Sequence, residues 1–345
     1  MDPAQTWQPT EPFTPRWGIG SGHFQTIASH LLPRAVQLPP AEARLVDVAP
    51  GVQVRCDCHW QPGPVENRRN ALTVIAIHGL EGSSDSQYLR GIAEKALALG
   101  MNAVRMNQRS CGGTEHLGPT LYHSGLSNDV GAVAQSLIAA EGLRRIALSG
   151  YSMGGNLVLK LAGEWGGTHP ELKAVAAVCP AMDLAASADA LHRPSNRLYE
   201  MHFVRRLKQR LIRKAGLYPG RFDVSAANGA SSVRAFDNQV TAPFSGFRDA
   251  DDYYARAAAA NVIDRIAVPT LILHAADDPF IRMQPETLAK VHANPNVRYV
   301  ETAHGGHCAF LATPNGYDGY WAERQIVDFL RKADAGGSGN TPELA

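Results

Sequence analysis

Ser152 stands in the middle of Gly150-Tyr151-Ser152-Met153-Gly154, between the apolar run Ile146–Leu148 and a helical pattern that begins at once. A hydroxyl becomes a useful nucleophile only when a base takes its proton and preorganised donors receive the charge that develops on the attacked oxygen. A GxSxG sequence between a strand and a helix is the elbow that presents such a serine. The sharp turn strains the central residue and lifts its side chain clear of the sheet, and glycines flank it because a Cβ there would strike the neighbouring strand or helix. The helix N-terminus behind the hydroxyl offers unpaired N–H groups and the positive end of the helix dipole. Attack on an ester carbonyl is the chemistry this arrangement suits.

The remaining parts lie in other loops. Ala275-Ala276-Asp277-Asp278-Pro279-Phe280 follows the apolar segment 270–274, and Ala303-His304-Gly305-Gly306-His307-Cys308 follows Val297–Val300. In the roles these residues suggest, Ser152 attacks, His307 takes its proton and returns it to the leaving group, and a carboxylate holds the imidazole. Asp278 is the favoured acid, with Asp277 and Asp183 as alternatives; His304 is the rival base. The losing aspartate would cap a loop. HGGH lacks the glutamate and the spacing of a zinc motif, so no metal is expected. The glycine-containing loop His78-Gly79-Leu80-Glu81-Gly82-Ser83 follows another apolar strand. The N–H groups of Leu80 and Met153 would form the oxyanion hole. Gly79, Tyr151, Asp277, His78, Arg109 and His123 are further candidates for lining the site. His78 is equally a brace for its loop, and Arg109 a tie between loops. Cys308, beside the histidine, reads first as a small packed residue.

Positioning these groups calls for alternating strands and helices. Residues 43–49 and 52–60 alternate around Pro50-Gly51 as a hairpin, and Ala71–Ile77 is a buried strand. A helix over Ser86–Leu99, a strand over Met101–Met106, a helix over Ser127–Ala140 and a strand over Arg145–Leu148 lead to the elbow. After the helix Met153–Trp165 comes a strand over Ala174–Cys179. The alternation lapses over 184–262 and resumes at 270–274, with a helix near 284–292 and a last helix from Asp318 to Lys332. The pattern predicts a mostly parallel sheet with helices on both faces. The organisation read from it is an arm over 1–40, a core over 41–183 and 263–333, a cap inserted at 184–262, and a disordered tail over 334–345. Within the cap, Met201–Lys214 is amphipathic. Val204, Leu207 and Leu211 share a face, supported by Phe203 and Ile212, and six basic residues cover the rest. It is read as a cap helix with a solvated basic side; the other reading is a lid in weak peripheral contact with anionic lipid surfaces.

Bulk properties narrow the field. The 345 residues carry a net charge of +1, which points to no nucleic-acid partner. The proline-rich start lacks the features of a signal peptide, and no apolar run is long enough to span a membrane. The five cysteines are irregularly spaced and read as free thiols, so a cytoplasmic location is expected.

Together these segments resemble one branch of the α/β-hydrolase superfamily, the YheT-like esterases of bacteria and the related mammalian abhydrolase-domain lipid hydrolases. The likeness covers roughly 15–330. It is carried by GSGHFQTI at 20–27, HGLEGSSDSQY at 78–88, NQRSCGG at 107–113, YHSG at 122–125, GYSMGGN at 150–156, FDNQVTAPFSGF at 236–247, DDYY at 251–254, AADDPF at 275–280 and GGHCAF at 305–310. GSGHFQTI and FDNQVTAPFSGF mark this branch. Ser110 and Ala309 stand where the family commonly has Gly. The resemblance implies an α/β-hydrolase fold with an eight-stranded sheet and a small cap. It implies Ser152, Asp278 and His307 as the triad, no cofactor, and esterase activity on small-molecule acyl esters with a modest apolar chain. Membrane residence of the mammalian relatives is not carried over. The alternatives are a membrane-acting lipase, phospholipase or monoacylglycerol hydrolase, thioester or lactone hydrolysis on the same residues, and a non-catalytic binding protein on this scaffold.

Overall fold

The computed structural model describes residues 3–337. Eight strands form one sheet: β1 (Glu42–Ala49), β2 (Val52–His59), β3 (Thr73–Ile77), β4 (Asn102–Met106), β5 (Ile146–Tyr151), β6 (Leu172–Val178), β7 (Thr270–Ala275) and β8 (Val297–Thr302). Their spatial order is β1-β2-β4-β3-β5-β6-β7-β8. β2 runs antiparallel to both β1 and β4, and every other pairing is parallel. The strand-to-helix loops after β3, β5 and β7 therefore open at one sheet edge, where such folds gather their sites.

Side chains alternate along each strand, so one strand feeds two cores. Val74 and Ala76 of β3 pack against Leu89 and Ile92 of α2 (Gln87–Ala98) and Ile326 and Phe329 of α9 (Trp321–Gly337). Ile75 and Ile77 face the opposite way, toward Val133 and Leu137 of α3 (Ser127–Glu141) and Leu157 and Leu161 of α4 (Met153–Trp165). Among the described residues no helix is long and apolar enough to cross a membrane.

Three sequence expectations need correction. The N-terminal arm, to which the sequence pattern assigns no helix, contains α1 (Gly22–Leu31), a ten-residue helix whose N-cap Ser21 accepts a bond from the Phe24 amide. Gly22 and His23 at its start are weak helix formers, but the Ser21 cap is the ordinary start signal. The last helix continues through Gly337, five residues past Lys332, so the first part of the expected tail is helical. The rest of that tail, 338–345, lies outside the described residues.

The third correction concerns the segment 184–262, which holds helices and no strand among the described residues. Its helices include α5 (Leu184–Leu191), α6 (Arg197–Leu217) and α7 (Ala250–Ala257); α8 (Pro285–Ala293) follows in the core. Leu207 and Leu211 of α6 pack with Cys111, Tyr122 and Met153 of the core. Ile212, expected to support that apolar face, is 55% exposed. Nor is the basic side uniformly solvated. Arg210 and Lys214 are buried; Lys214 Nζ donates to the carbonyls of Glu115 and Gly118. A long aliphatic stem lets a cationic residue of a helix reach inward to such acceptors.

The arm is held by specific polar bonds. Gln25, fully buried, donates through Nε2 to Ile19 O at 2.9 Å and Leu311 O at 3.0 Å, and accepts from Leu311 N at 2.8 Å. Leucine at this position leaves Ile19 O and Leu311 N without their partner, whereas Leu311 O keeps its bond from the Arg16 amide at 2.9 Å. Gln25→Leu is expected to lower the unfolding free energy by about 3 kcal/mol, since each stranded buried group costs roughly 1–3 kcal/mol. Urea unfolding monitored by circular dichroism measures this; a change below about 0.5 kcal/mol contradicts the role given to Gln25.

Candidate active site

Three side chains meet above the sheet edge. Ser152 Oγ donates to His307 Nε2 at 2.9 Å, and His307 Nδ1 donates to Asp278 Oδ2 at 2.8 Å. The serine is set by its backbone: φ is 55° and ψ −118°, a region in which L-residues are strained. Its amide donates to Val178 O at 2.9 Å, which pins the turn to β6. The surrounding glycines are steric requirements. A Cβ on Gly150 would sit 2.2 Å from Gly154 O, and one on Gly154 only 2.4 Å from Ile77 O.

Asp278 is fully buried, and its second carboxylate oxygen accepts from the amides of Phe280 and Ile281, both at 2.9 Å. Burial pushes its carboxyl upward, but His307 and the Ile281 amide outweigh this and hold it below the ordinary value. The carboxylate stays ionised and presents one oxygen to the imidazole. For His307, burial opposes the cation, but Cys308 and Asp278 together hold the imidazole above its usual range. Its ring lies against Phe280, with centroids 4.3 Å apart, which shields one side of the pair from water.

The histidine loop is also gripped by the arm. His307 N donates to Thr26 Oγ1 at 2.8 Å, and Gly306 has φ 58° with its missing Cβ position 2.3 Å from Gly22 O. Neither Thr26 nor Gly22 was a candidate from chemistry. The one sequence signal for them is their place in GSGHFQTI.

Opposite Ser152 runs the loop after β3. Its Gly79 amide donates to Tyr88 Oη at 3.0 Å and its Glu81 amide to Tyr122 Oη at 3.1 Å. Between them the Leu80 N–H donates to no group among the described residues, and neither does the Met153 N–H. A Cβ on Gly79 would approach Ser152 Cβ to 3.1 Å, tight enough to press the loop and the serine apart by a few tenths of an ångström. Two free amides on either side of a serine hydroxyl can receive an oxyanion.

A family model described as the alpha/beta hydrolase fold matches residues 73–314. The chain belongs to the α/β hydrolase fold family. It is 35% identical over 324 residues to an Escherichia coli protein named "Putative esterase YheT", covering 92% of each chain. It is 29% identical over 313 residues to "Phospholipase ABHD3" of Mus musculus, covering 88% of this chain and 74% of the relative. Among solved structures it is similar to a 2,6-dihydroxy-pseudo-oxynicotine hydrolase, with a TM-score of 0.58 at 19% identity, covering 93% of this chain and 74% of that one. It is also similar to Est1E from Butyrivibrio proteoclasticus, with a TM-score of 0.54 at 16% identity, covering 85% and 99% respectively. At these identities the two structures speak for the fold alone.

The hydrolase cavity has a volume of about 960 Å³ and is reached from Ser152, His307, Gly79, Leu80 and Tyr151. Other proposed lining residues lie elsewhere. His78 is fully buried; its Nδ1 donates to Gly79 O at 2.7 Å and its Nε2 accepts from the Gln108 amide at 3.1 Å. Burial lowers its pKa to about 4, so it is a neutral brace. Arg109 makes a two-pronged bond to Asp129, both contacts at 2.6 Å. His123 is packed edge-on to Phe247 and Tyr253. Arg109 is thus the tie that was its other reading, and neither it nor His123 lines the cavity, because a loop near the sheet edge has an inner and an outer side that one-dimensional spacing does not distinguish.

The alternative acids and base have other partners. Asp277 accepts from the Gly306 amide at 2.8 Å and pairs with the exposed His304 at 3.3 Å. Asp183 accepts from Gln284 N at 2.8 Å and Thr287 Oγ1 at 2.7 Å, at the start of α8. Cys179 joins His307 and Cys308 in one close group, and His274 and Asp278 in another, but these donors suit a metal poorly. Burial drives the Cys179 thiol well above its ordinary pKa, and His307 and Asp278 are bonded to each other.

This geometry separates the two aspartates. Asp278→Asn is expected to reduce ester turnover by about 10⁴-fold, the scale seen when a triad acid becomes an amide. Asp277→Asn, which loosens the Gly306 turn and the contact with the exposed His304, is expected to stay within about tenfold of wild type. The base must be neutral to act, so activity rises with pH through the His307 pKa. Asp278 raises that pKa, so the acid limb of the residual activity shifts to lower pH in Asp278→Asn. A kcat/KM–pH profile with an unmoved limb, or a larger loss in Asp277→Asn, contradicts the assignment.

Proposed function

We propose that this chain is a serine carboxylesterase acting on short- to medium-chain acyl esters through an acyl-enzyme on Ser152. The observation that carries the reading is the Ser152–His307–Asp278 relay, at 2.9 and 2.8 Å, opening into the 960 Å³ cavity. Ser152 Oγ attacks the ester carbonyl as its proton passes to His307 Nε2. The oxyanion forms between the amides of Leu80 and Met153. The tetrahedral intermediate collapses, His307 returns the proton to the departing alcohol, and the acyl group stays on Ser152. Water, deprotonated by the same imidazole, then releases the acid. Asp278 orients the ring and stabilises its cation throughout. Apolar wall is supplied by Ile27, Leu31, Leu198, Tyr199, Phe203 and Phe280, which suits an alkyl chain.

One observation favours a second reading, hydrolysis of lipid esters at a membrane surface. Leu31 and Leu198, both cavity residues, are 72% and 81% exposed, so the mouth presents apolar side chains to its surroundings. Faster hydrolysis of vesicle-embedded than of monomeric esters is the outcome that this version requires.

The test is hydrolysis of p-nitrophenyl esters from C2 to C16 by wild type and Ser152→Ala. Wild type is expected to turn over an acyl length between C2 and about C10, and Ser152→Ala to lose at least about 10³-fold in kcat with the fold intact. Equal turnover by both proteins contradicts the serine mechanism.

A further inference from the structure

Five basic residues of α6 divide into two sets. Arg210 is buried, bonding Glu81 through Nε at 2.9 Å and Nη2 at 3.0 Å, and Lys214 is spent on backbone carbonyls. Both hold the cap to the core. Arg205, Arg206 and Arg213 instead line, with His202, Gln209 and Glu81, a concave pocket of about 270 Å³. Glu81, His202, Arg206 and Arg213 also line the cavity that contains Ser152. The polar pocket therefore adjoins the place where the ester would lie.

Charge in this corner is unbalanced. Arg205, Arg206, Arg210 and Arg213 face two carboxylates, Glu81 and Glu115, an excess of two positive charges. Glu81 is already occupied by Arg210, by the Tyr122 hydroxyl at 2.7 Å and, at 3.5 Å, by Arg206, and Glu115 by Arg213 at 2.7 Å. No carboxylate among the described residues pairs with Arg205. His202 is held below its ordinary pKa, first by burial and then by the charge of Arg206, so it adds a neutral donor or acceptor. Arginines that only solubilise a helix spread over a convex face. These converge on a concavity, where their fields add and planar forks match the oxygens of a phosphate or carboxylate.

We infer that the Arg205–Arg206–Arg213 pocket is a subsite for an anionic group, phosphate or carboxylate, carried by the ester substrate away from its scissile bond. The inference rests on the esterase reading of the Ser152 cavity. The substrate class is then an amphiphilic ester. Its alkyl part lies against the apolar wall, and its anion reaches the arginines, either from the alcohol side as a phosphomonoester or from the end of the acyl chain as a carboxylate.

Matched pairs of monomeric esters test this at low salt: 1-octanoylglycerol against its 3-phosphate, and 4-nitrophenyl octanoate against 4-nitrophenyl hydrogen suberate. In at least one pair the anionic member is expected to have a kcat/KM about tenfold or more above its neutral partner, and raised salt should erode the preference. In a folded Arg205→Ala/Arg206→Ala variant that ratio is expected to fall by about tenfold. A ratio at or below one in both pairs, or one unchanged in the variant, overturns the proposal. So does a preference that appears only on phosphatidylglycerol vesicles, which would make the arginines a membrane contact. Inorganic phosphate that competes as well as octyl phosphate would overturn the substrate-borne anion in favour of a free-ion site. Should wild type hydrolyse no ester, the esterase reading fails separately. Calorimetric binding of octyl phosphate to Ser152→Ala, and its loss when Arg205 and Arg206 are also replaced by Ala, would still decide the subsite.

Discussion

The site depends on one strained residue. Ser152 is held at φ 55° between a parallel strand and a helix, and everything near it is arranged to tolerate that conformation. Gly150 and Gly154 let β5, α4 and β3 approach to distances no Cβ allows. The Val178 carbonyl fixes the serine amide. Such strain costs on the order of 1–3 kcal/mol and persists only where surrounding structure over-determines it. Here the surrounding structure is the central part of a sheet buried on both faces. In return the hydroxyl stands clear of the sheet, with the Met153 amide beside it and the imidazole within a hydrogen bond.

A second constraint couples α6 to the loop after β3. Glu81 follows Leu80 directly, has φ 58°, and is buried with Arg210 of α6 in a bidentate pair. Burying both charges is costly, and the cost is offset only because geometry and the Tyr122 hydroxyl satisfy the carboxylate. The same loop thus carries the Leu80 amide, which donates to no group among the described residues, and a carboxylate paired with α6. The arm is tied in comparably from the other side, through Thr26 on the histidine loop and Gln25 on Leu311. Two segments remote in sequence from the elbow therefore fix its partners.

How much of this was legible follows from the range over which each signal acts. The elbow, the strands and the pairing of Asp278 with His307 were readable because glycine punctuation, apolar runs and order along the chain are local or nearly so. The buried pair Glu81–Arg210 was not, because an arginine in a run of basic residues on a helix reads as solvated until the facing loop is known. Proximity to a sheet edge makes His123 a candidate for the site, whereas Phe247 and Tyr253 engage it elsewhere; Arg109 has the tying role open to it in the sequence, on Asp129. The helix Gly22–Leu31 was missed despite its Ser21 cap, and with it the contact of Thr26 to His307.

The most direct test of the central claim is fluorophosphonate labelling followed by peptide mapping of wild type, Ser152→Ala and His307→Ala. A serine activated by its elbow and by His307 predicts one stoichiometric adduct on Ser152 in wild type, none in Ser152→Ala, and much slower labelling in His307→Ala. An adduct on another residue such as Cys308, or labelling of Ser152 at an undiminished rate without His307, would contradict it.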